Sequence, residues 1–286
     1  MKAYPECIPC LINQGLNAVE KLNLHKDKEI EIAKRSLKFL SQFETFDSSP
    51  AYYAYFIQQI VKEIVKSEDP FREMKRTANK KALQLIEKFT EEEKESNEDK
   101  LKFALKISAV GNAIDFAIKG ELDIEREINN LLKKDFLIFD FEKFKERLKY
   151  ANSIFIIGDN AGEIVFDKIL VKTLKNLGKE VIYGVKGKPI LNDATMEDAR
   201  ESSLTELCKV IDNGSDKVGT WLEDCSQEFI KVFYNADIVI SKGQANFETL
   251  NNAERDIFFL LVAKCNPIAN ETKGKKGELI FRYKDG

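Results

Sequence analysis

The sequence predicts an α/β protein in which a helical N-terminal domain precedes a doubly wound, mostly parallel sheet. Up to about residue 150, apolar residues recur at the 3.6-residue spacing of helices. After residue 151, short β-branched runs alternate with amphipathic helical stretches. The length of 286 residues is enough for a sizeable core and for two domains, placed at 1–150 and 151–286.

In the N-terminal half Ile8, Leu11, Ile12, Gly15, Leu16, Val19 and Leu22 share a helical spacing, as do Ile30, Ile32, Ala33, Leu37, Phe39 and Leu40. Ser48-Ser49-Pro50 marks the next start, since proline lacks the N–H that a first helical turn leaves unbonded, and the pattern runs over 52–65. Asp69-Pro70 opens another helix, carrying Met74, Ala78, Ala82, Leu83 and Ile86. The charge-dense stretch 87–100 reads as a solvated helix end and connection. A helix follows over 101–118, then shorter ones at 124–132 and 141–150.

In the second half the expected strands are 153–157, 180–185, 209–212, 237–241 and 257–264, with a possible edge strand at 278–283. Helices are expected at 162–177, 195–204, 221–235 and 246–253, and their alternation with strands implies a parallel sheet.

Composition excludes several function classes. A net charge of -3 with 33% charged residues gives no basic footprint for nucleic acid. No apolar run approaches the roughly 20 residues that span a bilayer, and Pro5, Glu6 and Pro9 interrupt any signal-peptide core, so a cytoplasmic protein with no membrane partner is expected. Five cysteines, an odd number, argue against a disulfide scaffold. The single histidine, His25, rules out histidine triads and multi-histidine zinc sites. Metal chemistry here has to rest on oxygen ligands or cysteines.

Three loops at expected strand ends share one polar character: Gly158-Asp159-Asn160-Ala161-Gly162-Glu163, the stretch 186–195 ending Asn192-Asp193-Ala194-Thr195, and Ser241-Lys242-Gly243-Gln244-Ala245-Asn246-Phe247-Glu248. A parallel sheet places all three on one edge, where ligands of open α/β sheets bind. Asp159, Asn160 and Asp193 supply two carboxylates and an amide oxygen, hard ligands suited to Mg²⁺ or Mn²⁺. Lys242, followed by a glycine, reads as a mobile cation for phosphate oxygens. Taken singly each has a plainer reading: Asp193 caps a helix beside a Thr195/Asp198 capping box, Glu163 is a first-turn acid, and Lys242 is solvated. Their coincidence points to phosphoryl transfer.

Two further motifs stand outside these loops. Cys7-Ile8-Pro9-Cys10 has a spacing that fits packing, a metal or a redox pair. Gly111-Asn112-Ala113-Ile114-Asp115 breaks an apolar helix, with Asn112 and Asp115 on one face, and reads either as a packing glycine with surface polars or as part of a site.

Together with Asp69-Pro70-Phe71, Lys75, Asn79 and Lys264-Cys265, these motifs resemble, in the same order, those of the damage-control phosphatases, long called domain of unknown function 89. The Cys-x-x-Cys resembles that of the first, largely prokaryotic subfamily. The resemblance implies a helical domain on a Rossmann-like α/β domain, and a phosphatase using a divalent ion (Mn²⁺, Ni²⁺, Co²⁺ or Mg²⁺) on small damaged or excess phosphometabolites such as sugar phosphates or nucleotides. By the same resemblance Asp159, Asn160 and Asp193 are similar to the family's metal ligands and Lys242 to its phosphate-binding lysine, while Asn112 and Asp115 look like the helical domain's contribution to the cleft. Ala245 departs from a Gly-Asn-Phe/Tyr-Glu pattern, which bears on the conformation of that loop.

The expected reaction is hydrolysis of a phosphomonoester. Lys242, Asn246 and backbone amides near Gly162 and Gly243 are expected to bind the substrate, with Asp159 and Asp193 at the reacting centre and Glu163 or Asp115 accepting a proton or holding water. Attack by water and by an aspartate both fit. The rival is a nucleotide- or cofactor-binding module or a methyltransferase, but the second strand of the sheet half ends Gly184-Val185-Lys186-Gly187, without an acid for a ribose.

Overall fold

The structure, a computed structural model, describes residues 1–22, 24–89, 96–114, 116 and 120–286, with the backbone alone for 19–21. The chain runs through α1 (Cys7–Lys21), α2 (Lys26–Leu40), α3 (Pro50–Val65), α4 (Arg72–Ile86), α5 (Asn97–Ala113) and α6 (Glu121–Leu132) to β1 (Phe136–Phe139) and α7 (Phe141–Tyr150). Then come β2 (Ser153–Ile157), α8 (Glu163–Asn176), β3 (Glu180–Val185), α9 (Met196–Glu201), β4 (Lys209–Asp212) and α10 (Gln227–Asn235). The chain ends with β5 (Ile238–Lys242), α11 (Gln244–Leu250), β6 (Ile257–Val262), α12 (Asn266–Thr272) and β7 (Leu279–Lys284).

The helix starts follow local chemistry. Pro50 occupies the first turn of α3, and the Ser96 hydroxyl accepts the Asp99 amide at 3.1 Å to cap α5. Ile114 is already extended, so α5 stops before the expected 118. Leu101, Ala104, Leu105, Ile107, Ser108, Ala109, Val110, Gly111 and Asn112 are all buried on α5, as suits a helix enclosed by other elements. A Cβ on Gly111 would stand 3.2 Å from Cβ of Phe166, so this glycine lets α5 lie close on α8.

The sheet order is β1-β7-β6-β5-β2-β3-β4. Strands β2 to β6 are mutually parallel, while β7 runs antiparallel to β6 and pairs in parallel with β1. Two expectations are corrected here. The stretch 278–283 is not an edge strand, because β1 covers it. Nor is 1–150 all helical, since β1 lies within it; a four-residue apolar run carries too little periodicity to tell strand from helix.

The expected boundary at residue 150 is also not the packing boundary. One core joins α4–α8 to one face of the sheet through residues such as Ala82, Leu105, Phe144, Ile156 and Phe166, and α10–α12 cover the other face through Phe229, Phe247 and Ile268. Helices α1–α3 form a cap whose core (Leu11, Tyr53, Ile57) includes Ile190 and Val218 from the sheet loops.

The chain leaves β2 for β3 on one side and returns to β5 on the other, with Ile157 opposite Ser241. That reversal opens a crevice at the carboxyl ends of β2 and β5. The cap roofs it.

Candidate active site

The loops after β2 and β3 are joined by backbone bonds. The Ala161 amide donates to the Asn192 carbonyl (2.9 Å) and the Ala194 amide to that of Asp159 (2.8 Å), around a bridge pairing Asn160 with Asp193. This brings the adjacent Asp159 and Asn160 together with Asp193 from the later loop. The third loop comes equally close, because a Cβ on Gly243 would fall within the Asp159 carboxylate, and Gly243 adopts φ +79° with ψ 167°, a conformation open in practice to glycine alone.

Asp159 Oδ2 accepts Nδ2 of Asn112 and Nδ2 of Asn160, each at 2.8 Å. Asn112 Nδ2 also donates to Glu163 Oε2 (2.8 Å), as does Asn160 Nδ2 (3.2 Å). The Asn160 amide hydrogens thus face two carboxylates, leaving its oxygen available as a ligand. Burial, with the charges of Glu163 and Asp193 adding to it, pushes the Asp159 carboxyl up to about 7. Burial also raises Asp193, against the pull of Lys186, whose ammonium stands 3.5 Å from Oδ2. Crowded, desolvated carboxylates of this kind are relieved by a cation.

Beneath them lies a second charge cluster. Lys242 Nζ donates to Glu163 Oε1 (2.5 Å), Asp167 Oδ1 (2.6 Å) and the Ser108 carbonyl (3.2 Å), and Lys242 has no exposed surface. Burial works to lower its ammonium, but Asp167 and Glu163 hold it above the ordinary lysine value. Asp167 accepts as well from the hydroxyls of Ser108 (2.5 Å) and Tyr183 (2.6 Å), and burial raises its carboxyl.

A third network ties α4 to the same loop. Asn79 Oδ1 accepts the Gly162 amide at 2.7 Å while its Nδ2 donates to Asp198 Oδ1 (2.9 Å), and Lys75 pairs with Asp69 (2.9 Å) and Asp198 (3.5 Å). Asp198 also accepts the Thr195 amide and hydroxyl (2.8 Å each), so the capping box forms as expected, with Thr195 as its cap; Asp193 is not the cap.

Asp159, Asn160 and Asp193 line a cleft of about 250 Å³ between the cap and the sheet edge. Among the described residues lining it, Lys264 is the only lysine or arginine, and it is exposed and close enough to oppose the upward shift of Asp159. Cys7, Cys10, Cys265 and Glu248 share a wall of the cleft. Burial raises all three thiols, Cys7 to about 11, which keeps them protonated.

Comparison with known proteins agrees along nearly the whole chain. A family model described as the damage-control phosphatase ARMT1-like domain matches residues 3–280. The chain is 35% identical over 288 residues to a protein named damage-control phosphatase from Pyrococcus horikoshii, covering 98% of this chain and 97% of that one. To a protein of the same name from Archaeoglobus fulgidus it is 33% identical over 290 residues, covering 99% of each. A crystal structure of a DUF89 family protein from P. horikoshii matches with a TM-score of 0.88 at 36% identity, covering 98% of each chain. This chain belongs to the damage-control phosphatase ARMT1-like family.

Within this family member the expected site residues separate by position. Asp159, Asn160 and Asp193 face the cleft together. Asn112 and Glu163 lie behind them, buried and engaged with each other. Asp115 is outside the described residues. Lys242 is not the mobile cation expected of it, because two buried acids hold its ammonium. Of the amides expected near Gly162 and Gly243 to bind phosphate, those two themselves are engaged elsewhere: Gly162 donates to Asn79, and Gly243 to the Leu260 carbonyl at 3.1 Å. Asn246 is likewise occupied, donating to the carbonyls of Gly158 (3.0 Å) and Lys242 (2.8 Å) and accepting the Thr220 hydroxyl (2.8 Å), so it clamps loops. Ala245 sits inside α11 without a positive φ, so its methyl group costs that backbone nothing.

Asp167 was not singled out by sequence reasoning, and Lys264 and Glu248 stood in quoted motifs without a role of their own. Asp167 had a signal, an acid four residues after Glu163 on an apolar helix face. Lys264 had its place at a strand end and in the Lys264-Cys265 motif, neither of which marks it as a cation facing the cleft.

Proposed function

We propose that this chain is a phosphatase that uses a divalent cation to hydrolyse small phosphomonoesters. The observation that carries the reading is the convergence of Asp159, Asn160 and Asp193 on one cleft that also holds Lys264, at the point where the sheet reverses its strand order.

The donor set fits the ion. Among the described residues no three His, Cys, Asp or Glu side chains are grouped to hold a metal, so the candidate set is two carboxylates and one amide oxygen. Such hard donors suit Mg²⁺ or Mn²⁺, with Co²⁺ and Ni²⁺ also accepted by oxygen ligands. When bound, a divalent ion supplies charge withdrawal from phosphoryl oxygens and activation of water. The chain's own part begins with Lys264, free to pair with a phosphate oxygen at the cleft. Asn112 and Glu163 fix the direction of Asp159 and Asn160. Leu11 and Ala54 of the cap, with Val218 from a sheet loop, limit water around the substrate. The size of the cleft and the one lysine among the described residues lining it favour a metabolite bearing one phosphate.

The test is turnover of p-nitrophenyl phosphate and a panel of phosphorylated metabolites with Mg²⁺, Mn²⁺, Co²⁺ or Ni²⁺, with Asp159→Ala as control. Metal-dependent release of phosphate by the natural protein alone is expected. Equal release by the variant, or none from either, removes the reading. The rival of a cofactor-binding module predicts saturable nucleotide or methyl-donor binding without a divalent ion.

A further inference from the structure

We infer that Asp167 is a positioning residue of this site: through Lys242 it holds Glu163 against Asn160 and so sets the direction of the amide oxygen offered to the cation. The inference rests on the metal-dependent reading above.

The two helices that cross under the cleft each supply residues four apart. Ser108 and Asn112 come from α5, Glu163 and Asp167 from α8, and residues four apart share a helix face. Like charges at that spacing repel. Both acids are nonetheless buried, with 1% and 0% exposure, because Lys242 at the end of β5 reaches between them. An ammonium has three hydrogens, and Lys242 commits one each to Glu163, Asp167 and the Ser108 carbonyl. Its position is therefore triangulated. Asp167 is fixed in turn by Ser108 and by Tyr183 from β3.

The bonds run in one direction toward the cleft. Tyr183 and Ser108 fix Asp167, Asp167 fixes Lys242, and Lys242 holds Glu163 by Oε1. Glu163 Oε2 then accepts the Asn160 backbone amide (3.3 Å) and Nδ2 (3.2 Å), so the Asn160 oxygen is the end of the amide left for a ligand. A buried ion cluster adds little net stability compared with well-packed apolar residues. One that ends on a candidate ligand is better accounted for by orientation, since outer partners of metal ligands tune affinity about 10- to 100-fold.

The experiment is titration calorimetry of Mn²⁺ into the full chain, without substrate, beside melting temperature. Asp167→Asn keeps the volume but weakens the hold on Lys242, and is expected to raise the Mn²⁺ Kd about 10-fold in folded protein. Tyr183→Phe and Ser108→Ala each remove one of the two hydroxyl donors to Asp167 and are expected to raise the Kd about two- to fivefold, less than the roughly 10-fold of a whole outer partner. A purely structural role would lower the melting temperature and leave the Kd of the folded protein unchanged. An unchanged Kd in folded Asp167→Asn overturns the inference. If that variant does not fold, an unchanged Kd in both hydroxyl variants overturns it. Failure of the natural protein to bind Mn²⁺ would instead sink the metal-dependent reading, and this inference with it.

Discussion

Asn79 on α4 accepts the backbone amide of Gly162 at 2.7 Å, across 83 positions of sequence. The contact takes the Gly162 amide, at the cap of α8, out of use for an anion and anchors the loop that carries Asp159 and Asn160. Asn79→Ala would leave a buried amide without an acceptor. We expect a loss of about 1–3 kcal/mol in urea unfolding, together with weaker divalent-ion binding. Unchanged stability would show that the Gly162 amide finds another partner.

Lys242 and Lys264 should respond in opposite ways. Lys242→Met strands Glu163 and Asp167 inside the protein, and is expected to destabilise it by about 3–5 kcal/mol. Lys264→Ala removes an exposed cation, so its melting temperature should stay near that of the natural protein while kcat/KM falls about 10- to 100-fold, the value of one charged hydrogen bond. Phosphatase assays beside thermal melts decide this. A Lys264→Ala protein with full activity would reassign the phosphate cation.

Gly243 tolerates no side chain. Alanine there meets the Asp159 carboxylate and a backbone conformation reserved for glycine, at a cost of about 1–3 kcal/mol. The expected result for Gly243→Ala is folded but less stable protein with metal-dependent activity lost. Calorimetry with Mn²⁺ separates displacement of Asp159 from general unfolding.

Glu248 makes stability depend on pH. Burial pushes its carboxyl up to about 7, against the bonds it accepts from Gln244 (3.1 Å) and the Ala51 amide (3.0 Å). The unfolded chain releases this proton near the ordinary glutamate value of about 4.3, so between that pH and 7 the folded state binds more protons. Stability therefore falls as pH rises through this window and levels off above it. Relative to the natural protein, Glu248→Gln should gain up to about 3 kcal/mol between pH 4.5 and pH 8. Urea unfolding of both at the two pH values checks this, and a constant difference would count against it.

Much of the fold was legible because strand alternation and helix spacing are local. β2, β3 and β4 fall on the expected residues, since β-branched runs bounded by polar loops have few other uses. β1 was not legible, because four apolar residues become a strand only when β7 is there to pair with. The N-terminal helices showed their periodicity but not their partners, so the division at residue 150 missed that α4–α7 pack on the sheet.

For the candidate site, the sequence by itself determined which residue types stand at the strand ends: two acids and an amide in loops that a parallel sheet must bring to one edge. Tertiary structure alone decided what each polar group is free to do. Lys242 and Lys264 are both lysines at strand ends, and composition cannot separate them. The difference is burial: Lys242 ends β5 beneath α5 and α8, where a charge must be paired, so it is consumed by Glu163 and Asp167. Lys264 follows β6 at the cleft, where water pays for its charge and leaves it available.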